Sequence, residues 1–374
     1  MNININTILH GDVLWKLYEL EPDSVDFTVT SPPYYKQRNY NVEGQLGQEK
    51  KVEDYLQKLY NIFDQVWRIT KLHGTLWIVI GDKYNNHGSP NLIPYRLMEG
   101  LGKRGWTPKQ DIIWWKRNAF CTSYVTMFGI DYEHVLYLAK DEEEYFFQMQ
   151  YRQYAESTLK EFGEDYKGKN TKDYKAAGAQ PASDAKRRII TGKKMPPIGG
   201  KKKADGYSGA YSGNTPEFGL GSHMRAVWDI PVKGFKKAHF AVFPEALVQR
   251  IFDSAMPNGI CKTCGFLRRK QYREKRVNTR PGKNTGTGKS GKPDDPNAAI
   301  HNADLSKYRQ QILRKDDGFY ECNCNDGFNK PVVFDPFMGA GTTGVVAVRN
   351  NCNYLGIELN ESYIKMANER IKSQ

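Results

Sequence analysis

Two short stretches decide the fold: VVFDPFMGAGTTG at residues 332–344 and VDFTVTSPPYY at residues 25–35. Each begins with a run of apolar and β-branched residues typical of a buried strand, and each continues into a loop. In an open α/β sheet, ligands bind at the carboxyl ends of the strands. The pattern therefore predicts that both loops contribute to one site, although they lie at opposite ends of the chain.

Strand and helix patterns alternate outward from these two stretches. The patterns predict further strands at residues 3–9, 75–80, 111–116, 134–139 and 354–357, and helices at residues 51–70, 342–349 and 361–371. A further helix is expected to start at the Pro244–Glu245 pair, because proline favours the first turn of a helix. Strands that alternate with helices indicate a largely parallel sheet with helices on both faces.

Two long segments interrupt this alternation. Gly, Lys, Ser and Asp dominate much of residues 141–225, and the second segment, 258–330, contains a basic, Gly-rich run. Such composition is typical of surface insertions. We therefore expect five parts: core residues 1–140, an insertion at 141–225, core residues 226–257, an insertion at 258–330 and core residues 331–374.

The charge of the chain predicts a polyanionic partner. Fifty-five Lys and Arg residues against 42 Asp and Glu give a formal net charge of +13 in 374 residues, and the excess lies mainly in residues 187–203 and 268–292. Nucleic acid is the first candidate, and solvated surface loops are the alternative. No apolar run approaches the roughly 20 residues that span a bilayer, so we expect a cytoplasmic protein without membrane contact.

The glycine stretch has the features of a nucleoside site. Gly339 and Gly341 allow a sharp turn and close approach of a ligand, and a helix with free N–H groups begins directly after them. About 20 residues later, Glu358 ends the next strand, where a carboxylate can accept both hydroxyl hydrogens of a ribose. The loop lacks the Lys of a phosphate-binding loop. A nucleoside without a triphosphate is favoured over a tight turn without a ligand.

The SPPY stretch suits an amino group. The two prolines fix an extended loop without N–H donors, so that the carbonyl oxygen of Pro32 and the hydroxyl of Ser31 are available as acceptors, and Tyr34 adds flat aromatic surface. An exocyclic amino group of a nucleobase has hydrogens to donate and a ring to stack. Taken alone, the same residues are also typical of a proline-rich turn.

Four of the six cysteines are paired as CxxC and CxC. Cys261 and Cys264 form the first pair, and Cys322 and Cys324 form the second. Two tight turns that carry four sulfur ligands are typical of structural zinc sites, so we predict a zinc ion that folds the second insertion. The alternative is four unrelated reduced cysteines.

The order of these motifs resembles one known family. TSPPYY followed by FDPFMGAGTTG resembles the amino-group DNA methyltransferases, whose motif is DPPY, NPPY or SPPY, and the placement of this motif before the glycine loop resembles their permuted β group. The segments LHGDVLWKLYELEPDSVDFTVTSPPY, DIIWWKRN, DYEHVLYLAKD and HFAVFPEALVQRI extend the resemblance over most of the chain outside the insertions. The resemblance implies a circularly permuted, Rossmann-like methyltransferase fold with a seven-stranded, mostly parallel sheet.

The resemblance also implies the cofactor and the roles of the core segments. S-adenosylmethionine is the expected methyl donor; residues 1–140 would form the catalytic half and residues 331–374 the cofactor-binding half. The expected catalytic residues are Ser31, Pro32, Pro33 and Tyr34. The expected cofactor-binding residues are Asp12, Thr30, Phe243, Pro244, Asp335, Pro336, Phe337, Gly339, Gly341, Thr342, Thr343 and Glu358.

Double-stranded DNA is the expected substrate, with the target base flipped out of the helix. Residues 141–225 are the candidate for target recognition, and the candidate DNA contacts are Arg187, Arg188, Lys201, Lys202, Arg268, Arg269 and Lys270. Ser before the two prolines favours cytosine-N4 methylation, with adenine-N6 as the alternative. A cognate restriction endonuclease is a possible partner. A DNA-binding module without activity, and a methyltransferase for RNA or protein glutamine, are the competing hypotheses.

Overall fold

A computed structural model describes residues 5–39, 42, 44–85, 87–119, 127–151, 223–232, 243–278 and 310–374. These residues belong to two compact units. The first unit lies within residues 1–148, 225–269 and 321–374, and the second within residues 149–224 and 270–320. The candidate site residues that the structure describes lie in the first unit, apart from Lys270.

An eight-stranded sheet forms the centre of the first unit. In spatial order the strands are β1 (Thr7–His10), β12 (Asn353–Glu358), β11 (Val332–Asp335), β2 (Val25–Thr30), β3 (Thr70–Ile80), β5 (Tyr132–Ala139), β4 (Thr107–Trp115) and β6 (Val227–Asp229). Five of the pairings are parallel, and only those of β5 with β3 and with β4 are antiparallel. The predicted class, a mostly parallel α/β sheet, is confirmed. Among the described residues, the sheet has one strand more than the expected seven, and the three-residue strand β6 occupies one edge beside β4.

Helices cover both faces of this sheet. They are α1 (Val13–Tyr18), α2 (Val52–Ile69), α3 (Ile93–Gly102), α4 (Glu245–Ala255), α5 (Thr342–Arg349) and α6 (Glu361–Lys372). No helix within the described ranges is long and apolar enough to cross a membrane.

Each face of the sheet has its own hydrophobic core, because strand side chains alternate between faces. On one face, the apolar side of α2, including Leu59 and Phe63, packs with Val25 of β2. On the other face, Phe252 of α4 packs edge-on against Phe27 of β2, with a ring separation of 5.0 Å. All six residues of β2 are buried, as expected for a central strand covered on both sides.

Smaller elements complete the described chain. In the first unit, β7 (Ile260–Cys261) and β10 (Phe328–Asn329) pair in antiparallel orientation. Strands β8 (Arg269–Asn278) and β9 (Gln310–Tyr320) pair with each other in a separate two-stranded sheet. Within the second unit, the ring of Tyr151 packs edge-on against His223 and Tyr272, at 5.2 and 5.6 Å. The expected domain boundaries stay a prediction.

A buried carboxylate ties three central strands together at the start of β2. Asp26 accepts hydrogen bonds from Lys71 Nζ at 2.8 Å and from the backbone N–H of Val332 at 2.7 Å, and its Oδ1 lies 2.9 Å from His73 Nε2. Burial alone would raise the pKa of Asp26, but the hydrogen bond with His73 and the charge of Lys71 lower it below the ordinary value of 3.8. Asp26 is therefore ionised in the folded protein and links β2, β3 and β11.

Asp26→Asn should lower the free energy of unfolding by about 2 kcal/mol at pH 7, because the amide cannot accept all of these charge-assisted bonds. The lowered pKa means that the stabilisation is fully present above pH 3.8 and is lost as the pH falls through the folded-state value. Urea unfolding at several pH values measures both effects. Asp23→Asn, which removes an exposed partner of Lys140, is the control and should change stability far less. An equal loss in both variants would contradict the role of Asp26.

Candidate active site

Parallel pairing brings the two motifs to the same edge of the sheet. Strand β2 pairs with β11 in the register Thr28 to Phe334, and β11 pairs with β12 in the register Asp335 to Gly356. The SPPY loop after β2, the glycine loop after β11 and the end of β12 therefore emerge side by side. This placement is the one predicted from the sequence for strands of an open α/β sheet.

A buried carboxylate fastens the two loops to each other. Asp335 accepts hydrogen bonds from the hydroxyls of Thr30 and Thr343, both at 2.7 Å, and from the N–H of Phe337 at 3.0 Å. Burial raises the pKa of Asp335 to about 6, against the lowering effect of these three donors. Asp335, Thr30 and Thr343 are fully buried and lie behind the wall of the site.

The glycine loop depends on a close contact with the last helix. Gly341 has φ +79° and directly precedes α5, and a Cβ atom placed on it would lie 2.7 Å from the Cβ of Ala367 in α6. Gly339 also has a positive φ, of +50°. A side chain at position 341 would therefore meet both backbone strain and a steric clash.

Two carboxylates stand at the opening of this loop. Glu358, at the end of β12, accepts hydrogen bonds from the N–H groups of Gly339 at 2.8 Å and Asn360 at 2.7 Å. Burial raises the pKa of Glu358, and these backbone donors oppose the shift. Asp12 precedes α1 and accepts from the N–H groups of Leu14 and Trp15, at 2.9 and 3.2 Å. Each carboxylate is thus oriented by backbone groups and keeps lone pairs for a ligand.

A cavity of about 510 Å³ lies between the two loops. Its volume is typical of sites for small molecules and cofactors. Eleven of the residues predicted from the sequence line it: Asp12, Ser31, Pro32, Pro33, Tyr34, Phe243, Pro336, Phe337, Gly339, Thr342 and Glu358. Thr30, Pro244, Asp335, Gly341 and Thr343 are outside the lining, and Pro244 precedes the first residue of α4.

The SPPY loop is held by hydrogen bonds on both sides. The hydroxyl of Tyr55 donates to the carbonyl oxygen of Pro33 at 2.9 Å, and the hydroxyl of Tyr34 donates to Glu133 Oε2 at 2.8 Å. The Oγ of Ser31 lies 3.5 Å from the hydroxyl of Tyr34. Burial and the neighbouring Glu133 carboxylate raise the pKa of Tyr34 well above its ordinary value, so its hydroxyl stays protonated.

Several residues that line the cavity were missed by the sequence analysis. Trp114 lies near the end of β4 and Lys116 directly follows that strand, Glu133 lies near the start of β5, and Gln37 and Arg38 follow the SPPY motif. The segments DIIWWKRN and DYEHVLYLA contained a signal, because they place charged residues directly beside apolar strand residues. Charged residues are rarely buried unless they are paired. The sequence could not show which residues of the two strands face each other.

The four clustered cysteines come together. One sulfur atom from each of Cys261, Cys264, Cys322 and Cys324 lies within 4.8 Å of the others. The N–H of Gly265 donates to the carbonyl oxygen of Cys261 at 3.0 Å, which closes the first turn. A backbone hydrogen bond from Cys264 lowers the pKa of Cys261 to about 6. Four soft donors at this spacing, one of them readily ionised, fit a tetrahedral zinc ion.

The predicted DNA contacts have different surroundings. Arg268 forms an ion pair with Glu321 and lies 5.1 Å from the ring of Phe328. Arg269 and Lys270 are exposed, and the guanidinium of Arg269 lies 5.5 Å from the ring of Phe146. Arg187, Arg188, Lys201 and Lys202 lie outside the described residues.

Comparison with known proteins identifies the family. The family model for DNA methylases, N6_N4_Mtase, matches residues 25–260 and 327–369, which is most of the chain. The chain therefore belongs to this family of amino-group DNA methyltransferases, as the order of its motifs had indicated.

Individual relatives agree with this assignment. The Type II methyltransferase M.SmaI of Serratia marcescens is 26% identical over 398 aligned positions, which cover 99% of this chain and 92% of that protein. M.MwoI of Methanothermobacter wolfeii, also a Type II methyltransferase, is 42% identical over 139 residues, but these are 36% of this chain and 21% of M.MwoI. The solved structure of the PvuII DNA methyltransferase, described as cytosine-N4-specific, has a TM-score of 0.52 at 12% identity, over 98% of this chain and 90% of that one. At this identity the likeness shows the fold alone.

Gly341→Ala should lower the free energy of unfolding by about 3 kcal/mol, because the added methyl group meets Ala367 and the backbone conformation is strained. Urea unfolding measures the loss. Gly44→Ala is a matched control, since Gly44 has the same φ of +79° but no atom within 4 Å of its Cβ position. It should cost only about 1 kcal/mol. Equal losses at the two positions would show that the contact with α6 is not tight.

Proposed function

We propose that this chain transfers a methyl group from S-adenosylmethionine to the exocyclic amino nitrogen of a base in DNA, with cytosine N4 as the favoured target. One observation carries the proposal: Ser31 of the SPPY loop and Glu358 of the cofactor half line the same cavity. The family assignment supports amino-group methylation of DNA, and the geometry supports the division of roles between the two loops.

The residues around the glycine loop fit S-adenosylmethionine. Glu358 offers a carboxylate for the ribose hydroxyls, Asp12 offers a second one beside it, and Phe243 and Phe337 add apolar surface. The absence of a phosphate-binding lysine in this loop agrees with a nucleoside without phosphates. When bound, this cofactor supplies a methyl carbon that bonds to the amino nitrogen as its bond to sulfur breaks, with the electron pair left on sulfur and one proton lost from nitrogen.

The SPPY loop would act on the amino nitrogen. The lone pair of this nitrogen is delocalised into the base, so the nitrogen is a poor nucleophile until acceptors hold its hydrogens and favour a more tetrahedral form. Ser31 Oγ and the carbonyl oxygen of Pro32 are suited to accept these hydrogens, and they would bind the transition state better than the ground state. Tyr34, packed beside them, would contact the ring of the base.

One sequence feature supports cytosine over adenine: serine before the two prolines resembles the cytosine-N4 enzymes. Adenine N6 is the alternative, because both bases present the same amino geometry. Mass spectrometry of nucleosides from methylated DNA separates the two products, N4-methylcytosine and N6-methyladenine.

The substrate would be duplex DNA with the target base turned out of the helix, since the amino group of a stacked base lies within the duplex, where a catalytic loop cannot reach it. Arg269 and Lys270 are exposed and are candidates for phosphate contacts. The relatives named as Type II methyltransferases support a place in a restriction-modification system, with a cognate endonuclease as partner.

We also propose that the four cysteines hold one structural zinc ion. Cys261 lies in the short sheet formed by β7 and β10, and Thr263 between the first two cysteines donates to Asp326 beside the second pair at 2.9 Å. The cluster therefore joins the two ends of residues 262–321 at the base of the insertion. The ion would fix this base without taking part in methyl transfer.

Ser31→Ala should lower the turnover number about 100-fold, as expected for loss of one preorganised polar contact, and leave the affinity for S-adenosylmethionine within about twofold. Glu358→Gln should chiefly weaken cofactor binding, by about 10-fold or more, because the carboxylate is lost. Calorimetry and the transfer of tritiated methyl groups to PCR-amplified bacterial DNA measure the two quantities.

Glu361→Gln is the control for Glu358, since it removes the same charge from an exposed residue of α6. Binding of DNA by the wild type without methyl transfer would support the inactive module instead. Transfer only to RNA or protein would select those substrate classes. A loss of cofactor affinity in Ser31→Ala would contradict the division of roles.

The zinc proposal has a test that is independent of activity. Protein purified without added metal should contain about one equivalent of zinc, and Cys264→Ser or Cys324→Ser should lower this content sharply. Cys352→Ser is the control, because Cys352 is buried away from the cluster beside β12. Atomic absorption measures the metal. A zinc content near zero in the wild type would remove the proposal.

A further inference from the structure

A row of polar side chains leads from the SPPY loop into the wall of the cavity. Ser31 Oγ lies 3.5 Å from the hydroxyl of Tyr34, Tyr34 donates to Glu133 at 2.8 Å, and Glu133 forms an ion pair with Lys116. All four residues line the cavity. Of the four, only Ser31 and Tyr34 belong to the motif, so the roles proposed for the two loops do not account for Glu133 and Lys116.

The antiparallel strands β4 and β5 hold the far end of this row in place. Glu133 pairs in register with Trp114, and the N–H of Lys116 donates to the carbonyl oxygen of Asp131 at 2.7 Å. The ammonium of Lys116 lies 4.6 Å from the ring centre of Trp114. The side chains of Lys116 and Glu133 are only 17% and 15% exposed. A shielded ion pair of this kind fixes the position of the carboxylate.

At the other end of the row, packing fixes the position of Tyr34. A Cβ atom on Gly81 would lie 3.1 Å from Cε2 of Tyr34, so the ring of Tyr34 lies close against the end of β3. The hydroxyl of Tyr55 holds the carbonyl oxygen of Pro33. Tyr34 therefore has little freedom to move its hydroxyl away from Glu133.

The chemistry of the carboxylate sets the direction of the hydrogen bonds. An ionised carboxylate can only accept, so the hydroxyl of Tyr34 has to donate its hydrogen to Glu133. The oxygen of Tyr34 then has only lone pairs to offer Ser31, and the hydroxyl of Ser31 donates to it. The remaining lone pairs of Ser31 Oγ are left for an amino group. The distance of 3.5 Å is long for two hydroxyls, as is common in active sites without substrate.

We propose that Glu133, paired with Lys116, is a positioning residue that acts through the Tyr34 hydroxyl to keep Ser31 an acceptor toward the substrate amino group. This inference rests on the proposed function. It gives Tyr34 a second role beside ring contact, and it explains why an ion pair is placed in the wall next to the SPPY loop. Without the carboxylate, Tyr34 could donate to Ser31, whose hydrogen would then point at the amino group.

The substitution Glu133→Gln changes the direction of these hydrogen bonds while it keeps the shape of the side chain. In Glu133→Gln, the ammonium of Lys116 can only donate, so it bonds to the amide oxygen. The amide NH₂ group then faces Tyr34 and donates to its hydroxyl, which in turn donates to Ser31. We expect the turnover number to fall about 10-fold or more, with cofactor affinity and the KM for DNA within about twofold. Tyr34→Phe should give a similar loss, since it removes the connecting hydroxyl.

A second substitution should restore the direction. In the double variant Glu133→Gln with Lys116→Met, the amide is free to turn its oxygen toward Tyr34, and most of the lost turnover should return. In a Ser31→Ala background, Glu133→Gln should have no further effect, because the atom that it orients is gone. Tyr35→Phe is the control, as its hydroxyl donates to the carbonyl oxygen of Lys50 instead, and its turnover should stay within about twofold.

Single-turnover transfer of tritiated methyl groups to PCR-amplified bacterial DNA measures each rate, and calorimetry with S-adenosylmethionine verifies that each variant folds and binds cofactor. An equal loss from Glu133→Gln in the Ser31 and Ser31→Ala backgrounds would overturn this inference while the proposed function stands. Failure of Lys116→Met to restore the turnover of Glu133→Gln would also overturn this inference while the proposed function stands. No transfer by the wild type to any DNA would overturn the proposed function and this inference together.

Discussion

The parallel pairing of β2 with β11 is the constraint on which the rest of the structure depends. A buried carboxylate bridges these strands at each end: Asp26 of β2 accepts the N–H of Val332 where β11 begins, and Asp335 of β11 accepts the hydroxyl of Thr30 where β2 ends. A slip of one residue would leave both carboxylates buried without these partners and turn every side chain of the strand to the opposite face. The register is thereby fixed, and the two loops that follow the strands meet.

This register also sets the arrangement of residues around the cavity. The end of β12, with Glu358, and the glycine loop after β11 form one side, whereas the loop after β2, with Ser31, forms another. Strands β4 and β5, although antiparallel neighbours, add a third wall with Glu133 and Lys116. The charged side chains of this wall are largely buried and form an ion pair with each other, which is the basis for the positioning role proposed for Glu133.

The sequence predicted the centre of this structure better than its edges. Strand β2 begins at Val25 and helix α5 begins at Thr342, as predicted, because the strand pattern and the loop glycine Gly341 mark these starts. Strand β3 begins five residues earlier than expected, at Thr70, since Thr70 still pairs with Val25 of β2 ahead of a shift in register before Thr75. Glu133 was missed because its place in the cavity wall depends on which residues of β4 and β5 pair with each other, and periodicity does not reveal that register. Asp335, which we expected to contact the cofactor, lies behind the cavity wall, where the buried hydroxyls of Thr30 and Thr343 donate hydrogen bonds to it.

A crystal structure with S-adenosylmethionine bound tests the central claim most directly, namely that the two motifs form one site for methyl donor and acceptor. The account predicts that the ribose hydroxyls contact Glu358, that the cofactor lies along the glycine loop and that its methyl group faces Ser31. A cofactor that bound elsewhere, or whose methyl group pointed away from Ser31, would contradict it.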